Sequence, residues 1–323
     1  MLVGMGPALC LFSAACFGAM GVFGKLAYDA GVSPQALLLL RFTIAAALLF
    51  GLLLLRPNLG NASRDVPASS GPPASMRRPI LLALALGAVG YATPSTLYFS
   101  ALTRIDASLV ALVLYTYPAL VTVVAVLIGR DRLTAGRTLA LLVASGGTLM
   151  VLLGAGGLHL DTIGVALAIG AACTYTGYVM VADTAVNRMP PVTLTAWVMT
   201  GAALALAVQS VLAGGVDLQL EPSGWFWVSC MTVVSTVVGM LAFFAGLRRV
   251  GPSTAAILSM FEPVTTTALA ALVLGEFPTP VQLIGGLLVV SSVALVQLGA
   301  PARRPIRQRP DAPGSVSSQP AAA

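Results

Sequence analysis

The sequence is poor in charge and almost without histidine. Only 9% of its 323 residues are Asp, Glu, Lys or Arg, and one is histidine, whereas soluble domains carry about 25% charged residues. The single histidine, His159, lies in a short loop beside Asp161, so no His-based metal or H-E-x-x-H motif is present. Asp-rich segments, phosphate-cradling glycine loops and a nucleophile elbow are absent as well. The four cysteines, Cys10, Cys16, Cys173 and Cys230, have no metal-like spacing and sit in or beside apolar runs, as buried thiols acting as small hydrophobes do. Chemical catalysis therefore has little support, and no cofactor, metal ion or nucleic acid is expected.

What fills the chain instead is apolar: hydrophobic residues make up 58% of it. Apolar runs of about twenty residues, enough to cross a bilayer core as helices, recur at roughly 4–24, 34–55, 79–100, 107–128, 135–153, 162–182, 191–213, 225–247, 253–274 and 280–299. The pattern predicts an all-α integral membrane protein of about ten transmembrane helices with the lipid bilayer as its surroundings; the alternation of outer-membrane strands is missing. The first run has no basic residue before it and no clear cleavage-site order, so it is expected to remain as the first helix.

Charge sets an orientation. With the N-terminus in the cytoplasm and ten crossings, fourteen arginines fall on cytoplasmic segments, while only Lys25 and Arg104 fall outside. This obeys the positive-inside rule and places both termini in the cytoplasm. Residues 56–78, rich in Pro, Gly, Ser and Ala with basic ends, are expected to form a flexible cytoplasmic loop, and residues 300–323 a disordered cytoplasmic tail whose arginines hold the last helix in place.

The chain repeats itself. Residues 107–134 and 252–279 align with Pro118 on Pro263, Ser108 on Ser253, Ala111 on Ala256, Thr122 on Thr267 and Thr134 on Thr279, all 145 residues apart. Before the 56–78 loop the offset is 157, matching Ala14, Ala15, Cys16 and Pro34 to Ala171, Ala172, Cys173 and Pro191. Each half then holds five helices. An odd number of crossings turns the second copy over, which predicts two inverted five-helix repeats, over 8–154 and 162–299, related by an axis in the membrane plane. Gly146 and Gly147 on the fifth helix, matched to Ser291 and Ser292 on the tenth, are expected to permit close helix packing, with a neighbour in the same chain or in another.

Five-plus-five helices, a small-residue first helix ending near Lys25, Arg41 early in the second helix, and paired segments of the form small-x-x-A…P…G-E resemble the EamA-type members of the drug/metabolite transporter superfamily. The resemblance spans roughly residues 8–299, with its best motif at Pro263 and Leu274-Gly275-Glu276; the first half departs from it with Gly129-Arg130-Asp131. It implies a bacterial inner-membrane carrier that exports or exchanges small metabolites such as amino acids.

Particular residues follow from their own physics. Glu262 sits mid-span, where a carboxylate costs about 2.5–3.5 kcal/mol on insertion scales, so it either binds a proton or a cationic group of the cargo, pairs with Lys25 or Arg41, or stays neutral and hydrogen-bonded to neighbouring backbone. Pro118 and Pro263 deprive the carbonyls of Leu114 and Ser259 of their helical donors, as expected either of paired hinges lining a cavity or of static kinks, and their recurrence in both halves favours the hinges. Tyr98, Tyr117 and Tyr178 are mid-span candidates for cargo contact, with Tyr91, Tyr115 and Tyr175 nearby; Trp225 and Trp227 fit an interfacial belt. Arg41, about seven residues into its helix, either snorkels to the outer surface or binds a substrate carboxylate. A secondary transporter around a midplane cavity, monomeric or dimeric, is the expectation. A lipid-modifying membrane enzyme, or a non-transporting sensor, is the rival.

Overall fold

A computed structural model of the chain describes residues 4–59, 77–102, 104–105, 107–131, 134–153, 161–275 and 277–298. Most of the expected 56–78 loop, the 300–323 tail, His159 and Glu276 lie outside the described residues. All regular structure among the described residues is helical: α1 (Met5–Asp29), α2 (Pro34–Leu55), α3 (77–102), α4 (Ala107–Leu114 and Tyr117–Leu127), α5 (Ala135–Leu153), α6 (Thr162–Ala185), α7 (Pro191–Leu212), α8 (Pro222–Val250), α9 (Pro252–Leu274, broken after Ser259) and α10 (Pro280–Leu298). Eight of these are long and apolar enough to cross a bilayer singly, and the two-piece α4 with the shorter α10 completes the ten. The chain is a multi-pass integral membrane protein.

Local chemistry sets the helix starts. Ser33 and Asp161 cap α2 and α6 by accepting from the backbone N–H groups of Ala36 and Gly164. Thr134 and Thr279 do the same for α5 and α10, and Gln282 returns the bond to the Thr279 N–H at 2.8 Å, closing a capping box.

Packing obeys the duplication. α1 lies on α8 as α6 lies on α3; α3 lies on α7 as α8 lies on α2; α9 lies on α1 as α4 lies on α6. Three further pairs, α2 with α7, α4 with α9 and α5 with α10, join an element to its own counterpart. Exchanging the two halves leaves this set of contacts unchanged, which is the signature of a pseudo-twofold axis, and with five crossings per half the repeats are inverted. Irregularities repeat too. π-helical turns begin at Leu86 in α3 and Met231 in α8, and the helix breaks at Tyr115-Thr116 and Met260-Phe261, each pair 145 residues apart. A π-helical turn at Ala270–Leu274 has no partner in α4. It inserts a residue, which accounts for Gly275 (φ 71°) falling one position later than the matching helix end at Gly129 (φ 71°).

Two crossings are closed by glycine. At the α3–α7 crossing a Cβ on Gly87 would stand 1.9 Å from the Val198 carbonyl oxygen, and one on Gly201 would stand 2.1 Å from that of Leu84. At the α5–α10 crossing the close pair is Gly147 with Gly285; Ser292 is buried, while Gly146 has nothing within 4 Å of its Cβ position. Backbones this near exchange dispersion contacts that lipid cannot replace. Gly87→Ala is expected to destabilise the fold by about 1–3 kcal/mol through overpacking, read as a lower thermal midpoint in detergent, with Gly146→Ala leaving the midpoint unchanged.

Candidate functional site

The site is built around the two broken helices. Pro118 and Pro263 have no N–H to give the carbonyls of Leu114 and Ser259, and the turns before them tighten instead to three-residue bonds. The Thr116 N–H donates to Val113 O at 3.1 Å, the Met260 N–H to Ile257 O at 3.1 Å and the Phe261 N–H to Leu258 O at 3.2 Å. One turn later Thr122 and Thr267 donate their hydroxyls to the carbonyls of Pro118 and Pro263, at 2.8 and 2.9 Å. Such back-bonding bends a helix further.

The four half-helices differ in burial, and the difference makes a cavity. All eight residues of Pro252–Ser259 are buried, and they pack on the Tyr117–Leu127 half of α4, where Tyr117, Pro118, Val121, Thr122 and Ala125 are buried. The opposite halves stand apart: within Glu262–Leu269 only Pro263 is buried, while Glu262, Thr266 and Thr267 face a cavity together with Ala111, Leu114 and Tyr115 of α4. Its volume is about 540 Å³, in the range of small-molecule sites. Tyr28 at the end of α1, Leu37 at the start of α2, Tyr98 near the end of α3, Leu152 at the end of α5 and Gln282 at the start of α10 also line it. These positions share one side of the bundle, so the cavity opens on the face opposite the N-terminus and is closed on the N-terminal face.

Two charged groups mark its walls at mid-depth. Glu262 begins the second half of α9 and is partly exposed to the cavity, with the Tyr115 hydroxyl hydrogen-bonded to its side chain. Its carbonyl accepts from the Thr265 and Thr266 hydroxyls at 2.9 and 3.0 Å, and Thr266 also reaches Gly18 O on α1 at 3.1 Å. Arg41 does not snorkel: it is 5% exposed, its guanidinium lies 4.3 Å from the Phe42 ring centroid, and Nη1 contacts the Met20 sulfur at 2.8 Å and the Met231 sulfur at 4.0 Å. The α2–α8 crossing is open enough to hold it because Thr232 stands where the counterpart crossing has Gly87.

The tyrosines divide between wall and floor. Tyr91, Tyr98, Tyr115 and Tyr175 line the cavity, whereas Tyr117 and Tyr178 are buried at 4% and 1% exposure. The Tyr117 hydroxyl bonds Ser259, and Tyr178 stacks on Tyr175 with centroids 5.5 Å apart. Tyr175 meets Tyr117 edge-on at 4.8 Å, so the ring network seals the cavity from below. Of the residues expected to contact cargo, Tyr98, Arg41 and Glu262 reach the cavity; Tyr117 and Tyr178 do not in this conformation. The wall residues Gly21, Gly24 and Thr266 escape sequence reasoning, although one signal was available. At the 157-residue offset Gly18 and Gly21 of α1 align with Tyr175 and Tyr178 of α6, so one repeat admits the close approach of α9 at Thr265 and Thr266 where the other has rings.

On the closed face Arg130 donates to Met180 O at 2.8 Å and to Asp183 at 3.3 Å, tying the end of α4 to α6, while Arg137 pairs with Asp131. No group of three metal-ligating side chains occurs among the described residues.

Inverted five-helix repeats enclosing a half-open central cavity define a membrane transporter architecture. The EamA-like transporter family model matches residues 4–153 and again 162–298, and the chain belongs to that family. It is 25% identical over 288 residues, 87% of this chain and 88% of the relative, to an uncharacterized transporter of Bacillus subtilis, YcbK. An uncharacterized transporter of Archaeoglobus fulgidus is 26% identical over 218 residues, covering 68% of this chain and 77% of the relative. A solved crystal structure shares the fold with a TM-score of 0.75 at 19% identity, covering 91% of this chain and 96% of that one.

Ala111, on the cavity wall, and its repeat-mate Ala256, 0% exposed, report this conformation directly. In a background lacking native cysteines, Ala111→Cys is expected to react with a water-soluble maleimide at least about tenfold faster than Ala256→Cys, the difference between a wetted and a packed position.

Proposed function

We propose that this membrane transporter is a secondary carrier that moves a small metabolite, an amino acid or a related compound, by alternating access around its midplane cavity. The observation that carries the reading is that halves identical in topology differ in conformation. Pro252–Ser259 packs against Tyr117–Leu127, while their counterparts, the first half of α4 and the second half of α9, stand apart. Exchanging the two conformations would close the present mouth and open the other face without new contacts having to be invented. The breaks before Pro118 and Pro263 are the hinges, because each half-helix there ends in its own hydrogen bonds and turns without rupturing a continuous ladder.

The arginine distribution supports a closed face in the cytoplasm, with both termini there, and an open mouth outside, in a bacterial cytoplasmic membrane. Export fits this arrangement once the Tyr117, Tyr178 and Arg130 layer has opened. Glu262 is the coupling group: it stands at the hinge, faces the cavity, and gains or loses a proton as the cavity changes sides.

Cells overproducing the chain are expected to tolerate and release at least one amino acid or related amine better than control cells, and Glu262→Gln is expected to abolish the response of that release to external pH. No cargo-dependent phenotype across such compounds would refute the export reading, and an unaltered pH response would remove Glu262 from coupling. The Arg130–Asp183 pair is partly exposed, so it contributes about 0.2–1 kcal/mol to the closed face. Asp183→Asn should therefore speed maleimide labelling of Ala256→Cys by up to about fivefold while slowing that of Ala111→Cys.

A further inference from the structure

We propose that Arg41 is the oxyanion-recognition group of the cavity, so that the cargo carries a carboxylate or a phosphate. The inference rests on the transporter reading above and narrows its substrate class. Arg41 is 95% buried by its 5% exposure, lines the cavity, and leaves Nε without a hydrogen-bond partner. Its Nη1 faces the thioethers of Met20 and Met231, which accept hydrogen bonds weakly, and a planar guanidinium is matched in shape and charge by an oxyanion taking two parallel N–H bonds.

Structural need does not account for the residue. Its repeat-mate, 157 positions on, is Val198, whose carbonyl is the atom packed against Gly87. The same helix crossing in the other repeat is thus built dry and tight with an aliphatic side chain. A charge has been placed in only one of two equivalent crossings, and that is the one bordering the cavity. Glu262 does not neutralise it: the carboxylate belongs to the α9 hinge and bonds Tyr115, whereas the groups around Arg41 are Met20, Met231, Phe42 and the hydroxyl of Tyr91. The cavity wall carries Lys25, Arg41 and Glu262, an excess of one positive charge when all three are ionised. Desolvating a guanidinium among sulfur and carbon is costly, and an anionic cargo group offsets that cost only while it is bound. Methionine side chains are flexible enough to withdraw when it arrives.

The experiment loads proteoliposomes of the full chain with the water-soluble metabolite extract of bacterial cells and identifies released compounds by mass spectrometry against protein-free liposomes. Every compound released by the wild-type protein is expected to carry a carboxylate or phosphate. Arg41→Gln should lower their release about tenfold or more, the loss of a charge-assisted hydrogen-bond pair, and Arg41→Lys should retain the same compounds at an intermediate rate. Release of compounds lacking an oxyanion, or wild-type rates from Arg41→Gln, would overturn the assignment while leaving the carrier intact. No release above protein-free liposomes would overturn the carrier reading itself. The class of compound released by the wild-type protein decides the question even where Arg41→Gln does not fold, which its size-exclusion profile reveals.

Discussion

Inside a bilayer no water is available to satisfy a backbone carbonyl, so every interruption of a helix must be answered by protein or by a wet cavity. This chain interrupts two central helices at equivalent places, and the rest of the structure is arranged around those interruptions. Pro118 and Pro263 remove the donors, three-residue turns recover part of the loss, and Thr122 and Thr267 tie each proline carbonyl to the turn beyond it. At the first break the Thr116 hydroxyl donates to Val113 O at 2.7 Å, and at the second the Ser259 hydroxyl donates to Ala255 O at 2.9 Å. A continuous helix would be more stable and unable to bend; a break in open lipid would not survive.

Around this core the repeats divide into parts that are tight in both halves and parts that are tight in one. The α5–α10 pair, locked by Gly147 against Gly285, sits as a fixed buttress. The α4–α9 pair is asymmetric, packed at one end and splayed at the other. Small sequence differences at equivalent positions hold that asymmetry. Tyr175 and Tyr178 place rings in one repeat where the other has Gly18 and Gly21, which let α9 come close to α1 at Thr265 and Thr266, and Arg130 reaches Asp183 where the other repeat has Leu26 in place of the carboxylate. Each is individually worth little, as the proposed interconversion requires.

Much of the fold was legible because hydropathy, arginine placement and the 145-residue offset report on the same ten crossings independently. The helix breaks were legible because proline lacks an N–H wherever it stands. The cavity was legible only in part. Glu262 and Arg41 announce themselves as charges in apolar runs, whereas Gly21, Gly24 and Thr266 are cavity residues solely by virtue of what packs beside them. Tyr117 and Tyr178 look as suited to cargo as Tyr98 does, yet lie beneath the cavity floor, because burial depends on what packs beside a ring and not on its depth along the span. Gly147 was legible as a small residue that permits close packing, but its partner Gly285 was not, because helices cross at an angle and the paired contact is set by geometry, not by alignment.

The central claim is that the two faces open reciprocally about the α4 and α9 hinges. Pulsed electron paramagnetic resonance on spin labels at Arg104 and Leu272 reports the open face, and at the repeat-related Arg249 and Leu127 the closed one; all four positions are exposed. In lipid, a second population is expected in which the Arg104–Leu272 distance shortens while the Arg249–Leu127 distance lengthens. Distances that stay single and fixed, or that change together in the same direction, would contradict it.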